Sequence, residues 1–258
     1  MLPCLTQSSG WPKSWPPNQC KETFVSKKAR HNTREEQHDT SRNAPRTTAR
    51  VVVTGMTPGQ KDYIKAIINN RVVFCAGPAG TGKTAVAVGM ALQYVLSPGS
   101  PYKRIVVMRP VMEACGEHIG FIPGDLENKM APWIKPVMDN MMPFLPPSEA
   151  QGLFRAGMVE VIPLAYARGR SLSDAFIILD EAQNCSDKQM KMALTRMGRN
   201  SKMIIDGDTT QRDTEGVCGL ADAMNRLSGV PGVYMIALGK EDIVRDPMIG
   251  LILERYEE

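Results

Sequence analysis

The chain has 258 residues, of which 43% are hydrophobic and 22% charged, which suits one large or two small domains with a substantial core. No apolar run approaches 18 residues and the N-terminus lacks a basic start before a long apolar stretch, so we expect neither a transmembrane helix nor a secretory signal. The net charge of +4 is uneven, because residues 1–50 carry +5 and the remainder −1.

The first 50 residues differ in composition from the rest of the chain. They contain few Ile, Leu, Val or Phe residues and many Ser, Thr, Asn, Pro, Arg and Lys, so they bury too little apolar surface to offset the entropy of ordering. We predict a disordered basic arm over residues 1–50 and an ordered domain over residues 51–258. The arm is either a nucleic-acid contact, with Trp11 and Trp15 as stacking groups, or a solvated tail without a specific role.

The ordered domain opens with the signature of a helix start. The order Thr57-Pro58-Gly59-Gln60 predicts a capping box, with the threonine as N-cap, the proline at the first helical position and the glutamine at the third. The carboxamide of Gln60 also offers a donor and an acceptor together, so Gln60 is a candidate reader of an adenine edge. The two roles are compatible.

Residues 77–84 match the G-x-x-x-x-G-K-[ST] pattern of a phosphate-binding loop. An apolar, β-branched run precedes them and an Ala-, Val- and Leu-rich stretch follows, which predicts strand, loop and helix. The glycines let backbone N–H groups turn toward a polyphosphate. Lys83 would reach the β- and γ-phosphates, and the Thr84 hydroxyl would ligate Mg²⁺. The predicted nucleotide-binding residues of this loop are Gly77, Pro78, Ala79, Gly80, Thr81, Gly82, Lys83 and Thr84.

Five further apolar runs alternate with helical stretches. This order predicts an α/β fold with a mostly parallel sheet covered by helices on both faces. Ser186, with Gln189 three residues later, marks a second capping box before a helix predicted over residues 187–197. Residues 130–147, rich in Met and Pro, are predicted to form an irregular helix and loop. The predicted strands are 104–108, 159–162, 175–179, 202–205 and 233–238.

A pair of acids follows the strand predicted over residues 175–179. The carboxyl ends of parallel strands face the ligand in open α/β sheets, so Asp180 and Glu181 should lie beside the phosphate loop. Asp180 would hold Mg²⁺, mostly through water, and Glu181 would orient or deprotonate the attacking water. The alternative, a solvated turn, is disfavoured by the phosphate loop upstream.

A third polar block, residues 205–213, follows another apolar run and should lie at the same sheet edge. Gln211 has the reach and neutral polarity to sense the γ-phosphate, and Arg212 would pair with phosphate or an acidic neighbour. An ordinary loop is the alternative, because segments rich in Asp, Gly and Thr often have no further role.

The cysteines and histidines point to no other metal or redox site. The six cysteines are scattered without a C-x-x-C pair, which favours reduced thiols in a cytoplasmic protein. His31, His38 and His118 lack metal-ligand spacing, so Mg²⁺ is the metal that we expect.

Together these blocks resemble the PhoH-like ATPases, which are similar to the first motor domain of superfamily 1 helicases. The resemblance covers nearly all of residues 57–247, although residue 246 is Asp where the family has His. It implies ATP binding and hydrolysis on a RecA-like fold, with the residues named above in the roles given, and an RNA or DNA partner. The matching blocks are residues 77–84, 108–110, 117–125, 163–171, 174–184, 207–213 and 242–247.

Helicases of this type place ATP between two motor domains, and the second supplies an arginine to the transition state. Residues 51–258 have room for one such domain, so we expect a homo-oligomeric ring, for example a hexamer, with the arginine donated in trans. The candidates are Arg168, Arg170 and Arg245, each with a structural or surface ion pair as its alternative. Arg109 either touches a nucleic-acid phosphate or pairs with Glu113.

The sequence therefore favours a Mg²⁺-dependent ATPase that couples ATP hydrolysis to binding or remodelling of single-stranded RNA or DNA, with helicase activity as one form of it. The alternative is a nucleotide-gated binding or scaffold switch with slow turnover and no unwinding. A small-molecule kinase would use the same loop, but Glu181 beside Asp180 favours water as the acceptor. We expect no membrane partner.

Overall fold

The computed structural model of the protein describes residues 50–110, 126–209 and 218–244. The predictions made for residues 1–49, Gln211, Arg212, Arg245 and Glu113 lie outside these ranges. Helices and strands alternate along the described chain. They are α1 (Pro58–Asn69), β1 (Val72–Ala76), α2 (Lys83–Val95), β2 (Arg104–Arg109), α3 (Leu126–Met141), α4 (Pro147–Arg155), β3 (Val159–Pro163), β4 (Ala175–Leu179), α5 (Asp187–Leu194), β5 (Lys202–Gly207), α6 (Gly219–Leu227) and β6 (Val233–Ala237).

The six strands form one sheet in the order β3-β2-β4-β5-β1-β6. Every neighbouring pair is parallel, which confirms the predicted α/β fold. All residues of β4 and β5 are buried, as expected for central strands covered on both faces. The strand order places β5 between β1, which leads into the phosphate loop, and β4, which leads into Asp180.

Two hydrophobic cores lie on opposite faces of the sheet. One contains side chains of α1, α2, α3 and α4, and the other contains side chains of α5 and α6. Strand β1 shows the alternation directly, because Val73 and Cys75 belong to the first core and Phe74 to the second. Helices therefore cover both faces, as the sequence predicted. No helix of the described ranges is long and apolar enough to cross a membrane.

Residues 130–147 form a helix followed by a loop, as the sequence predicted. The helix, residues 126–141, contains Pro132 and Pro136, although an interior proline costs about 3 kcal/mol. The helix nevertheless persists because it buries Val137 and Met141 in the core. A loop over residues 142–146 then leads to α4, which begins at Pro147, the last residue of the segment.

The helix predicted over residues 187–197 ends at Leu194. The backbone beyond it pairs with a distant segment instead: Leu172 N–H donates to the Arg196 carbonyl at 2.8 Å, and Gly198 N–H donates to the Leu172 carbonyl at 3.1 Å. The start of this helix is as predicted. Ser186 and Gln189 form both hydrogen bonds of the capping box.

Candidate nucleotide-binding site

The loop between β1 and α2 depends on glycine at particular points. Gly80 and Gly82 have φ of 87° and 78°, the left-handed region that other residues rarely adopt. Gly77 is needed for a different reason, because a Cβ there would lie 2.8 Å from the Leu238 carbonyl oxygen. Gly82 is also the N-cap of α2 and has no side chain to cap it. The first N–H groups of α2 therefore suit an anion.

The ammonium group of Lys83 lies over this loop. Its Nζ donates to the carbonyl oxygens of Gly77 at 2.6 Å and Pro78 at 2.9 Å. The lysine is the first residue of α2, so its positive charge adds to that of the helix N-terminus. A phosphate in the loop would be a stronger acceptor than either carbonyl.

Asp180 joins the phosphate loop to the neighbouring strands. It follows β4 directly and is 2% exposed. The Thr84 hydroxyl donates to Asp180 Oδ1 at 3.0 Å, so the structure brings the two predicted metal-binding residues into contact. A hydroxyl and a carboxylate are oxygen donors of the kind that Mg²⁺ prefers, and this pair fits a cation held between a nucleotide and the sheet.

Arg109 also binds Asp180, a contact that was not predicted. Its Nε donates to Asp180 Oδ2 at 2.6 Å, and its Nη2 donates to the same oxygen. The sequence offered a phosphate or Glu113 as partners for this arginine. Only the adjacency of β2 and β4 in the sheet brings residues 109 and 180 together, and no local pattern carries that information.

Glu181 has a left-handed backbone, with φ 57° and ψ 40°. Such a conformation is uncommon for a residue with a side chain and is concentrated at functional sites. Its exposed side chain accepts a hydrogen bond from Gln183 Nε2 at 2.7 Å. Gln183 Oε1 in turn accepts from the Asp208 N–H at 3.0 Å. The sequence assigned no role to the buried Gln183. Its side chain links Glu181 to the polar segment that follows β5.

Asp206, at the end of β5, is the most deeply buried acid of the site, with 1% exposure. Within the described residues neither of its carboxylate oxygens has a hydrogen-bond partner. Burial raises the pKa of Asp206 well above its usual range, and the nearby negative charge of Asp180 raises it further. Sequence reasoning assigned no role to this residue.

Gln60 supports the phosphate loop from α1. Its side chain is buried, with Nε2 donating to the Thr81 carbonyl at 2.9 Å and Oε1 accepting from the Met56 N–H at 2.8 Å. The Gln60 N–H donates to Thr57 Oγ1 at 3.2 Å, so one of the two capping-box bonds forms as expected, whereas the side chain reaches residue 56 rather than 57. The adenine-reading role of Gln60 remains a prediction.

Asp242 ties the start of α1 to the loop after β6. It accepts hydrogen bonds from the Thr57 hydroxyl at 2.5 Å, the Gly59 N–H at 3.1 Å and the Gly239 N–H at 3.0 Å. These donors, the Thr57 hydroxyl foremost, lower the pKa of Asp242. Two residues on, the Val244 N–H donates to the Gly80 carbonyl at 3.0 Å. The loop after β6 therefore supports the phosphate loop.

The two described candidates for a trans-acting arginine lie in different settings. Arg170 forms a two-pronged ion pair with Glu160, at 2.7 and 2.8 Å, and this pairing lowers the pKa of Glu160. Arg168 is exposed. Neither lines the cavity at the phosphate loop, and among the described residues Arg109 is the arginine that does.

These residues surround a cavity of about 350 Å³, within the range of small-molecule sites. Asn140 of α3 is a further member that the sequence did not single out. The backbone amides and Lys83 suit phosphate, and Thr84 with Asp180 suits its cation. The lining residues are Ala79, Gly80, Gly82, Lys83, Thr84, Ala85, Arg109, Asn140, Asp180, Glu181, Gln183, Asp206, Gly207 and Asp208.

A parallel sheet with a glycine-rich loop at a helix start, a lysine and a hydroxyl–carboxylate pair defines a P-loop protein of the NTPase fold. The chain belongs to the PhoH-like protein family, whose sequence profile matches residues 52–257.

Several proteins have sequences similar to this one. The chain is 47% identical over 204 residues to the PhoH-like protein of Bacillus subtilis (strain 168), covering 78% of this chain and 63% of that protein. It is 42% identical over 201 residues to Protein PhoH of Escherichia coli (strain K12), covering 76% of this chain and 56% of that protein. The chain therefore spans about three fifths of the length of these relatives.

The fold also aligns with a helicase domain of known structure. The crystal structure of the Pyrococcus furiosus Hef helicase domain matches with a TM-score of 0.41 and 15% identity, over 71% of this chain and 38% of that one. A likeness at this level supports no conclusion about activity.

Proposed function

We propose that the chain binds ATP with Mg²⁺ and hydrolyses it. The observation that carries this proposal is the 3.0 Å hydrogen bond between Thr84 Oγ1 and Asp180 Oδ1, with Lys83 next to it at the start of α2. An ammonium and a hydroxyl from the start of α2 and a carboxylate that follows β4 converge on one cavity. That combination suits a triphosphate and its divalent cation.

Each residue has a distinct part in the proposed reaction. Lys83 exchanges its two loop carbonyls for phosphate oxygens, and the N–H groups of α2 neutralise the remaining phosphate charge. Mg²⁺, when bound, would neutralise phosphate charge beside Thr84 and Asp180. Glu181 holds the attacking water and accepts its proton, while Gln183 fixes the direction of the Glu181 carboxylate.

We further propose that the partner is single-stranded RNA or DNA. Two groups that suit such a partner lie on the turn after β3: Tyr166, which is 64% exposed, and the exposed Arg168. An aromatic ring stacks on bases and a guanidinium binds phosphate. Arg109, at the neighbouring strand end, would link that surface to Asp180.

An arginine donated by a second copy of the chain remains part of the proposal. Within the described residues the cavity holds one arginine, Arg109, and Asp180 already occupies it. A free arginine at the γ-phosphate would have to come from elsewhere. The exposed Arg168 is the better candidate of the two described, because Glu160 holds Arg170.

The test is an ATPase measurement on the wild-type chain and on Lys83→Ala, with and without single-stranded RNA or DNA. Hydrolysis that the substitution abolishes supports the ATPase, and strong stimulation by nucleic acid supports coupling. Turnover without stimulation would favour the nucleotide-gated switch. Failure of the wild-type chain to bind or hydrolyse ATP would refute the proposal.

A further inference from the structure

Asp206 lies beside the proposed cation site because of the strand order. In the parallel register Leu179 of β4 is paired with Ile205 of β5. The residues that follow them, Asp180 and Asp206, therefore lie side by side. On its other side Asp206 is in register with Cys75 of β1. Side chains alternate along a strand, which directs Asp206 to the same face as Ile204, the face that α2 covers.

The carboxylate of Asp206 is unsatisfied within the described residues. Three charged or hydroxyl donors of the site bond elsewhere: Thr84 and Arg109 donate to Asp180, and Lys83 donates to loop carbonyls. A buried carboxyl group without a hydrogen-bond partner is costly, and a partner that arrives with a ligand would remove that cost. Its position in the lining gives that partner access.

Hydrated divalent cations supply such partners. Mg²⁺ usually keeps several of its waters when a protein binds it, and these waters are hydrogen-bond donors with nowhere to donate unless acceptors face them. Within the part of the chain that the structure describes, no three acidic, His or Cys residues are arranged to hold a metal directly. Thr84 and Asp180 are the pair already in contact, so an acceptor role in the outer coordination shell suits Asp206.

We propose that Asp206 is a positioning residue for the cation, accepting hydrogen bonds from the water shell of the Mg²⁺ that Thr84 and Asp180 approach. This inference rests on the proposed function of the site. Asp180 has its oxygens engaged by Thr84 and Arg109, whereas neither oxygen of Asp206 has such a donor in the ranges that the structure describes. Asp180 would then be the acid nearest the cation, and Asp206 would accept hydrogen bonds from the waters of the cation.

The experiment measures cation binding rather than turnover. Mn²⁺ replaces Mg²⁺, and its binding to the ADP-bound protein is followed by electron paramagnetic resonance. Asp206→Asn should weaken Mn²⁺ binding by about 10- to 100-fold, the usual effect of losing an outer-shell partner. ADP affinity in EDTA should not fall, because the substitution removes negative charge from the cavity wall. Asp62→Asn, which removes the same charge from the exposed face of α1, should leave both affinities unchanged.

A second variant controls for misfolding of the first. Asp206→Val removes the unsatisfied carboxyl group, and valine suits a strand. Without ligand its melting temperature should be at least that of the wild type, and with ADP it should show the same loss of Mn²⁺ affinity. Mn²⁺ affinity within about twofold of the wild type in either folded variant, or an equal loss of ADP affinity in EDTA, would overturn the role of Asp206. If the wild type itself binds no Mn²⁺ with ADP, the proposed function fails as well.

Discussion

Arg109 at the end of β2 and Asp180 directly after β4 form an ion pair, with Arg109 Nε 2.6 Å from Asp180 Oδ2. The aspartate side chain is 3% exposed and the arginine 16%, so water screens the pair little. Arg109 holds the acid on one side while Thr84 holds it on the other. In the proposed function, arrival of a cation at Asp180 would change the charge that Arg109 faces.

We predict that Arg109→Gln destabilises the ligand-free chain more than the nucleotide-bound chain. Removing the arginine leaves Asp180 buried without its counter-charge, at a cost of about 2–4 kcal/mol in the free energy of unfolding. A cation with ADP would restore a positive partner. The increase in melting temperature on adding Mg²⁺ and ADP should therefore be larger for the variant than for the wild type.

The matched control is Arg104→Gln. Arg104 is also on β2, but its ion pair with Glu160 is long, at 3.8 Å, and about one third exposed on each side. Its loss should cost under about 1 kcal/mol, with no added response to ligand. Equal ligand-induced shifts in Arg109→Gln and wild type would contradict the coupling between Arg109 and the cation site.

We predict that Glu181→Gln binds ATP as the wild type does and hydrolyses it about 10²- to 10⁴-fold more slowly. The substitution keeps the shape of the side chain but removes the base. Binding should be unaffected because Glu181 is not among the residues proposed to contact phosphate. Binding is measured with a fluorescent ATP analogue and turnover by phosphate release. Normal turnover in this variant would show that another group activates the water.

We predict that Gln183→Ala lowers turnover by about 10- to 100-fold with little change in nucleotide affinity. Its amide bonds to both Glu181 and the Asp208 backbone, so truncation releases the base from its fixed direction. The effect should appear in kcat rather than in KM. Gln189→Ala, which removes an exposed capping-box glutamine from α5, serves as the control and should lower stability without altering kcat.

We predict that Arg168→Ala lowers turnover by about 10³-fold or more if it acts in trans, and that mixing it with Lys83→Ala restores activity. Each variant supplies what the other lacks. Arg168→Ala contributes an intact phosphate loop, and Lys83→Ala contributes an intact Arg168. Arg170→Ala is the comparison, since its partner is Glu160 of the same chain. Absence of recovery in the mixture, with both variants folded and assembled, would refute Arg168 as the donated arginine.

We predict that Lys202 makes stability rise with pH in the alkaline range. Its ammonium lies beneath α1, donating to the carbonyls of Ile67 and Asn70, and burial lowers its pKa from 10.5 to about 8. Between these two values the unfolded chain binds more protons than the folded chain, so the free energy of unfolding increases as pH rises. Below about pH 8 both forms are protonated and this contribution is constant.

The measurement is denaturant unfolding of the wild type and of Lys202→Met across that pH window. The stability of the wild type relative to the variant should increase with pH, because the variant lacks the titrating group. Lys61→Met, at an exposed lysine of α1, controls for the general effect of removing a charge. A wild-type-to-variant difference that stays flat from about pH 8 to 10.5 would contradict the lowered pKa of Lys202.

Much of the fold was predictable because its signals are local. The glycine pattern of residues 77–84, the apolar runs of the strands and the Ser186 capping box each depend on neighbours in the chain. The helix and loop over residues 130–147 were also predicted, although core packing is what keeps α3 continuous through its two prolines. The end of α5 was predicted three residues too late, because residue 172 pairs with the backbone beyond Leu194.

The sequence by itself determined the phosphate loop, the acids after β4 and the parallel α/β class, because glycine placement, strand length and apolar periodicity act over a few residues. Only the tertiary structure decided the strand order, and with it two relationships in the site, Arg109 with Asp180 and Asp206 beside Asp180. The packing of α1 against the phosphate loop decided a third, Gln60 with Thr81. The physical reason is that strand order follows from how helices of both faces pack together, and partners as far apart as 71 residues leave no trace in local periodicity.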